Sequence, residues 1–143
     1  MNLQDAITFA TEHPVCFLAT VDGDQPHVRG WLFWFADATG FYFQTLEPKD
    51  VYRQLRANPK VEVCFYNGGD LASAQTLRVT GTVEFLDDRA LRHRLVDEDM
   101  QFLAAVGGAD DPIHQIFRVA HGEAFIWGMG DMLHERELER AAF

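Results

Sequence analysis

Residues 76–86 constrain the fold of this chain more than any other stretch. Leu77, Val79, Gly81, Val83 and Phe85 alternate with Arg78, Thr80, Thr82 and Glu84. Successive side chains on an extended strand point to opposite faces. A strict period of two therefore predicts a strand with one apolar face and one facing water or a polar site. Gly81, inside that strand, predicts a bend or a close backbone approach.

The rest of the chain follows the same pattern. Residues 15–21 form a strand with Val15, Phe17, Ala19 and Val21 on one face and Cys16, Leu18 and Thr20 on the other. Asp22-Gly23-Asp24 is a hairpin turn into a second strand over residues 27–35. From Trp31 onward that strand is apolar on both faces, which predicts cover on both sides, by the domain's own core and by a partner subunit or cofactor. Residues 36–40 turn into a third strand at 41–45. Residues 61–66 make a fourth, with Val61, Val63 and Phe65 inward, and Asn67-Gly68-Gly69-Asp70 opens a flexible loop. Residues 113–119 and 123–127 are the last strands, joined tightly at His121-Gly122.

Helices fall between and outside these strands. Leu3, Ala6, Ile7 and Ala10 share one face of a helix over residues 2–13, which His13-Pro14 ends. Pro48 suits the first position of a helix that stops at Asn58-Pro59. A third helix spans residues 87–106, with Leu91, Leu95, Phe102 and Val106 as its buried side. Residues 128–143 read as a polar tail with a short helix. The expected fold is mainly β within the α+β class: an antiparallel, six- to seven-stranded barrel with peripheral helices. A chain of 143 residues suits a single domain, 1–143, with its core over about residues 10–130 and a tail at 129–143.

Composition narrows the partners. The net charge of -10 argues against nucleic acid and anionic membrane. No apolar run approaches the ~18 residues of a membrane span, and residues 1–8 lack the features of a signal peptide, so a cytoplasmic location is expected. Cys16 and Cys64 sit inside strands without zinc spacing and read as buried free thiols. The six histidines share no ligand spacing, and no metal is expected. His134-Glu135-Arg136-Glu137-Leu138 lacks the second histidine of a zinc-protease motif, and no phosphate-binding glycine loop or nucleophile elbow occurs. His27 flanks the second strand as a proton donor or an ordinary surface histidine. Asp97-Glu98-Asp99 reads as a solvated helix face.

Against this acidic background two cations stand out. Arg29 lies just before the doubly apolar part of the second strand, where an unpaired charge is costly. Its planar guanidinium suits a phosphate or carboxylate ligand, or a salt bridge to one of the 22 Asp and Glu residues. Lys49 lies in the first turn of the helix after Pro48, where the helix dipole favours an anion rather than a lysine. It is either one side of an anion site or a solvated residue offset by Glu47 and Asp50. The Thr45 hydroxyl is placed to join the same anion.

The order of these features resembles the pyridoxamine 5'-phosphate oxidase-like family of FMN-binding split barrels. Arg29 early in the second strand, Thr45 ending a short strand, Lys49 opening a helix and Asn58-Pro59 before the next strand match that family over about residues 10–130. The resemblance implies that Arg29 and Lys49 bind the FMN phosphate. It further implies that the backbone around Val28, Gly30 and Trp31, and around Gln44, Thr45 and Leu46, borders the isoalloxazine. Gln75 or Thr76 would supply a polar cofactor contact, and the site would lie at a homodimer interface. Trp127, Leu133, His134, Glu135 and Arg136 can be matched to the family's closing segment, with Trp127 near the flavin and Arg136 reaching it from the partner chain. Met132 stands where the family's substrate-phosphate arginine would be, a departure that argues against pyridoxamine phosphate as substrate. The expected function is an FMN-dependent oxidoreductase acting on an unidentified small molecule. The alternatives are a non-catalytic flavin or haem binder that senses redox state, and a barrel with an interaction role.

Overall fold

The computed structural model describes residues 1–143. Helix α1 (Leu3–Glu12) opens the chain and is followed by strands β1 (Val15–Asp22), β2 (Gln25–Leu32), β3 (Phe35–Asp37) and β4 (Gly40–Leu46). Helix α2 (Asp50–Ala57), β5 (Lys60–Tyr66), β6 (Gln75–Leu86), α3 (Arg89–His93), β7 (His114–Gly128) and β8 (Ala141–Ala142) complete it. All strands join one antiparallel sheet in the order β2-β1-β5-β6-β7-β4-β3, with β8 beside β7. The sheet curls until its edges approach. Trp31 Nε1 of β2 donates to the Gln44 carbonyl of β4 at 3.0 Å, with no backbone ladder between those two strands. The antiparallel, mainly β architecture is the one expected. The expected six or seven strands become eight because the short β3 and β8 are added while the two last expected strands merge into β7.

Aromatic packing fills the barrel. Phe33 sits 5.3–6.0 Å from the rings of Phe41, Phe43 and Phe65, and Phe43 stacks on Phe117 at 5.4 Å. Fully burying each such side chain contributes about 1.5–3 kcal/mol before conformational entropy is counted. Val61, Val63 and Phe65 of β5 point inward, as do Leu77, Val79 and Val83 of β6. On β1 the buried face carries Cys16, Leu18 and Thr20, whereas Val15 and Phe17 are exposed.

Several boundaries differ from the sequence expectation. The second strand ends at Leu32 rather than Phe35, because the chain changes partners there. Phe33 N–H donates to Pro14 O, and Trp34 N–H donates to Tyr42 O across the sheet's gap. The two-sided apolar run is thus divided. Phe33 enters the main core, whereas Trp34 packs on a second cluster around Leu95, Met100 and Ile116.

The helix expected over residues 87–106 is broken. After α3 comes a π-helical stretch, Arg94–Asp99, and then a 3-10 stretch, Gln101–Ala105. The wide turn, closed by Met100 N–H donating to Leu95 O, rotates the buried face. Leu95, Val96, Met100 and Leu103 are buried, while Phe102 and Val106, expected inside, are 65% and 49% exposed.

The two last strands are one. β7 bends at His121, whose φ of 53° is left-handed, and β6 has a matching register shift between Thr80 and Thr82. Gly81 and Gly122 permit the approach: a Cβ on Gly122 would lie 1.7 Å from Thr80 O, and one on Gly81 would lie 2.8 Å from Ala120 O. The 67–74 loop is tied down, with the Asn67 side chain bonding Gly69 N, Gln75 N and Ser73 O. The tail is not a solvated helix. Two 3-10 turns, Met129–Asp131 and Glu135–Glu137, form instead, after which β8 pairs with Glu123–Ala124 and Phe143 packs on Phe41 at 5.3 Å.

Candidate functional site

Arg29 pairs across β1 with Leu18, on the side of the sheet that faces the barrel. Its guanidinium reaches under α2, where Nη1 donates to Leu18 O at 3.2 Å and to Thr20 Oγ1 at 2.8 Å. Nη2 donates to Gln54 Oε1 at 2.7 Å, and the Thr20 hydroxyl donates to the same oxygen at 2.6 Å. Every one of these acceptors is neutral. None of the chain's acids forms a salt bridge with Arg29, so the internal ion pair that its position allowed does not form. Three of its five N–H donors are used, leaving donors free for a further acceptor. Burial lowers its pKa, as desolvation of an uncompensated cation must.

Lys49 is the N-cap residue of α2, and no side chain caps that helix. It is exposed and forms no salt bridge with Glu47 or Asp50. Its Nζ instead lies 5.3 Å over the Trp31 ring. Trp31 follows Arg29 on the same face of β2, so one tryptophan links both cations. The Trp31 indole is anchored by Gln44 O and is edge-on to Phe117 at 5.7 Å. Thr45 is 1% exposed, and its Oγ1 has no hydrogen-bond partner; neither has the buried Oε1 of Gln44. Lys49 N–H donates to Leu46 O at 3.0 Å and closes the turn between β4 and α2. Arg29, Trp31, Gln44, Thr45, Leu46 and Lys49 therefore form one neighbourhood.

The other expected residues lie elsewhere on the chain. Val28 and Gly30 face outward from β2, with Val28 68% exposed. Thr76 pairs with Trp127, and Gln75 with Gly128, on β6 and β7, several strands away from Arg29. Trp127 is half-buried with its Nε1 unpartnered. Arg136 is exposed and unpaired, while its neighbour Glu135 bonds Arg78 at 2.9 Å and ties the tail to the sheet. The chain by itself does not bring these groups to Arg29.

The outward face of β1, β2 and β5 is apolar and bare. Val15, Phe17, Val28, Leu32 and Tyr66 are 41–68% exposed. The register sets Val15 beside Leu32, Phe17 beside Gly30 and Ala19 beside Val28, which makes the patch continuous. The cysteines take no part in it as nucleophiles. Burial pushes the Cys16 thiol up to about 12, and it raises Cys64 as well.

Sequence reasoning missed Thr20 and Gln54, which hold the Arg29 side chain. One signal was present: Gln54 falls on the inward stripe of α2 with Val51 and Leu55, a polar residue in an apolar position.

A cofactor with a phosphate and a flat ring fits these residues. The phosphate would meet an arginine with spare donors, a lysine without an acid and an uncapped helix N-terminus. The orphaned Thr45 hydroxyl is the kind of group such a ligand satisfies.

Comparisons with known proteins agree in fold. The family profile described as pyridoxamine 5'-phosphate oxidase matches residues 3–128. A NimC/NimA family protein from Clostridium acetobutylicum is 27% identical with a TM-score of 0.77, covering 96% of this chain and 90% of its own. General stress protein 26 from Bacillus anthracis is 18% identical with a TM-score of 0.73, each chain covered in full at 100%. A protein from Mesorhizobium loti described as FAD-binding is 23% identical with a TM-score of 0.67, covering 88% of this chain and 94% of its own. The search of curated proteins returned no match. With the match spanning residues 3–128 of the 143, the chain belongs to the pyridoxamine 5'-phosphate oxidase family.

Proposed function

We propose that this protein is a homodimeric flavoprotein that binds FMN and acts as an oxidoreductase on a small molecule. The observation that carries the reading is Arg29: a partly buried guanidinium with spare donors and no carboxylate partner, beside an uncapped helix N-terminus that carries Lys49. Arg29 and Lys49 hold the phosphate in this reading, and the Thr45 hydroxyl adds a donor. Trp31 and the backbone of residues 28–31 and 44–46 form the floor for the ring. Gln75, Thr76, Trp127 and Arg136, far from Arg29 in one protomer, approach it from the partner. The bare apolar face of β1, β2 and β5 is the surface on which the second copy packs. FMN, when bound, supplies hydride or electron transfer; this chain binds, orients and shields it. The FAD-binding relative and the family membership support a flavin over other ligands.

The test begins with the absorption spectrum and mass analysis of the purified protein. A yellow protein that releases FMN on denaturation is the expected result. A colourless protein that cannot be loaded with FMN overturns the reading. The Arg29→Ala/Lys49→Ala double variant is expected to lose about tenfold or more in FMN affinity, the cost of removing charge-assisted bonds. Unchanged affinity would refute the phosphate anchor. NAD(P)H oxidation with candidate acceptors separates an oxidoreductase from a flavin- or haem-based sensor, which would show no turnover.

A further inference from the structure

Arg29, Thr20 and Gln54, from β2, β1 and α2, close a ring of hydrogen bonds. A guanidinium only donates, so the Thr20 hydroxyl accepts from Arg29 Nη1 and gives its own proton to Gln54 Oε1. Gln54 Oε1 receives a second donor, Arg29 Nη2, at 2.7 Å. These two donors fix which way the amide faces, because its NH2 group would oppose both. Gln54 is 4% exposed and Thr20 1%, so both acceptors sit where little water competes for them.

The ring does more than hold a side chain. Gln54 supplies the one hydrogen bond from Arg29 to α2. The same helix has Lys49 as its N-cap, so this bond sets the spacing of the two cations. Its charge is equally specific. A glutamate has the same length, would accept the same two bonds and would add an ion pair. The chain has 22 Asp and Glu residues, yet the group that meets Arg29 from the inward stripe of α2 is an amide. An amide orients the guanidinium and leaves its net charge to a ligand, whereas a carboxylate would neutralise it.

We propose that Gln54 is the positioning residue of the anion site. Its amide oxygen fixes the Arg29 guanidinium against the helix that carries Lys49, and its neutrality reserves the positive charge for the ligand's phosphate. Gln54 acts through Arg29 and needs no contact with the ligand. The proposal rests on the reading of Arg29 and Lys49 as a phosphate anchor.

Two variants of near-equal size separate positioning from a structural role. Gln54→Glu keeps both acceptor positions and adds a charge; Gln54→Met keeps the length and removes the acceptor. Thermal unfolding of the ligand-free proteins is compared with titrations of FMN, riboflavin and inorganic phosphate. Gln54→Glu is expected to melt closer to the parent than Gln54→Met, because Arg29 and Thr20 keep their acceptors. It is nevertheless expected to bind FMN about tenfold or more weaker than the parent, and more weakly than Gln54→Met. Riboflavin, which has no phosphate, is expected to bind all three alike. A structural role would rank stability and affinity in the same order. Gln54→Glu binding FMN as tightly as the parent or Gln54→Met, or losing riboflavin by the same factor as FMN, would overturn the proposal and leave the parent's FMN binding untouched. A parent that binds phosphate but not FMN would sink the flavin reading alone, with the same ranking then read from phosphate. A parent that binds neither would overturn both.

Discussion

Arg29 shows how much one side chain can carry. Its neutral acceptors, Leu18 O, Thr20 and Gln54, hold the guanidinium in place without cancelling its charge. That is the arrangement an anion site needs, because an internal carboxylate would compete with the ligand. Gly122 makes a structural point at the same scale. Replacing it with alanine drives a Cβ into Thr80 O, and neither backbone can move without breaking the β6–β7 ladder. Gly122→Ala is expected to destabilise by about 3 kcal/mol in urea unfolding. Gly130→Ala, where a Cβ meets nothing within 4 Å, is expected to stay within about 0.5 kcal/mol. Equal effects from the two would argue against the close strand crossing.

At the scale of elements, the segment after α3 is the sharpest case. A continuous α-helix over residues 87–106 would bury Phe102 and leave Leu103 outside. The π-helical stretch reverses them. Leu103→Ala is expected to cost about 2–4 kcal/mol, and Phe102→Ala to stay under about 1, both read by thermal or urea unfolding. The same region has a pH signature. His93 bonds Asp110 at 2.9 Å and Asp97 at 2.8 Å, and these acids, Asp110 first, raise its pKa above the ordinary 6.5. In return His93, and then Arg89, lowers Asp110 below its ordinary 3.8. A raised histidine stabilises fully below its unfolded value, and the effect is lost as pH rises through the folded value. A lowered carboxylate stabilises above its unfolded value, and its effect is lost as pH falls through the folded one. The cluster therefore contributes most between about pH 4 and 6.5. The melting temperature of His93→Gln should fall furthest below the parent's in that window, with the gap narrowing above neutrality. A gap independent of pH would exclude the charged histidine as its cause.

At the scale of the molecule, the outward faces of β1, β2 and β5 decide whether one protomer is sufficient. A continuous patch containing Phe17, Val28 and Leu32 is unusual for a solitary chain. In the proposed homodimer, the residues that lie far from Arg29 within one chain would be supplied by the second copy. Phe17→Lys/Val28→Lys is expected to yield monomers in sedimentation and to lose FMN binding while keeping the fold by circular dichroism. A dimer that survived both substitutions would move the interface elsewhere. No helix is long and apolar enough to cross a membrane.

Local chemistry made much of this protein legible in its sequence. Period-two alternation marked β1, β5 and β6, turn residues marked the hairpins, and Asn58-Pro59 marked the end of α2, since each depends on residues close in the chain. The order Arg29, Thr45, Lys49 pointed to the candidate site through resemblance to a family, since each residue taken alone had an ordinary reading. Only the tertiary structure decided the long-range questions. It chose which face of β1 is buried, divided the Trp31–Phe35 run between two clusters and fused two strands at His121. It wound part of the third helix as π and docked the tail through Phe143. It also left Arg29 without a carboxylate among 22 acids, which no spacing rule could foresee. Burial and charge pairing depend on which distant residues meet, and that is settled by closing the barrel rather than by any short stretch of sequence.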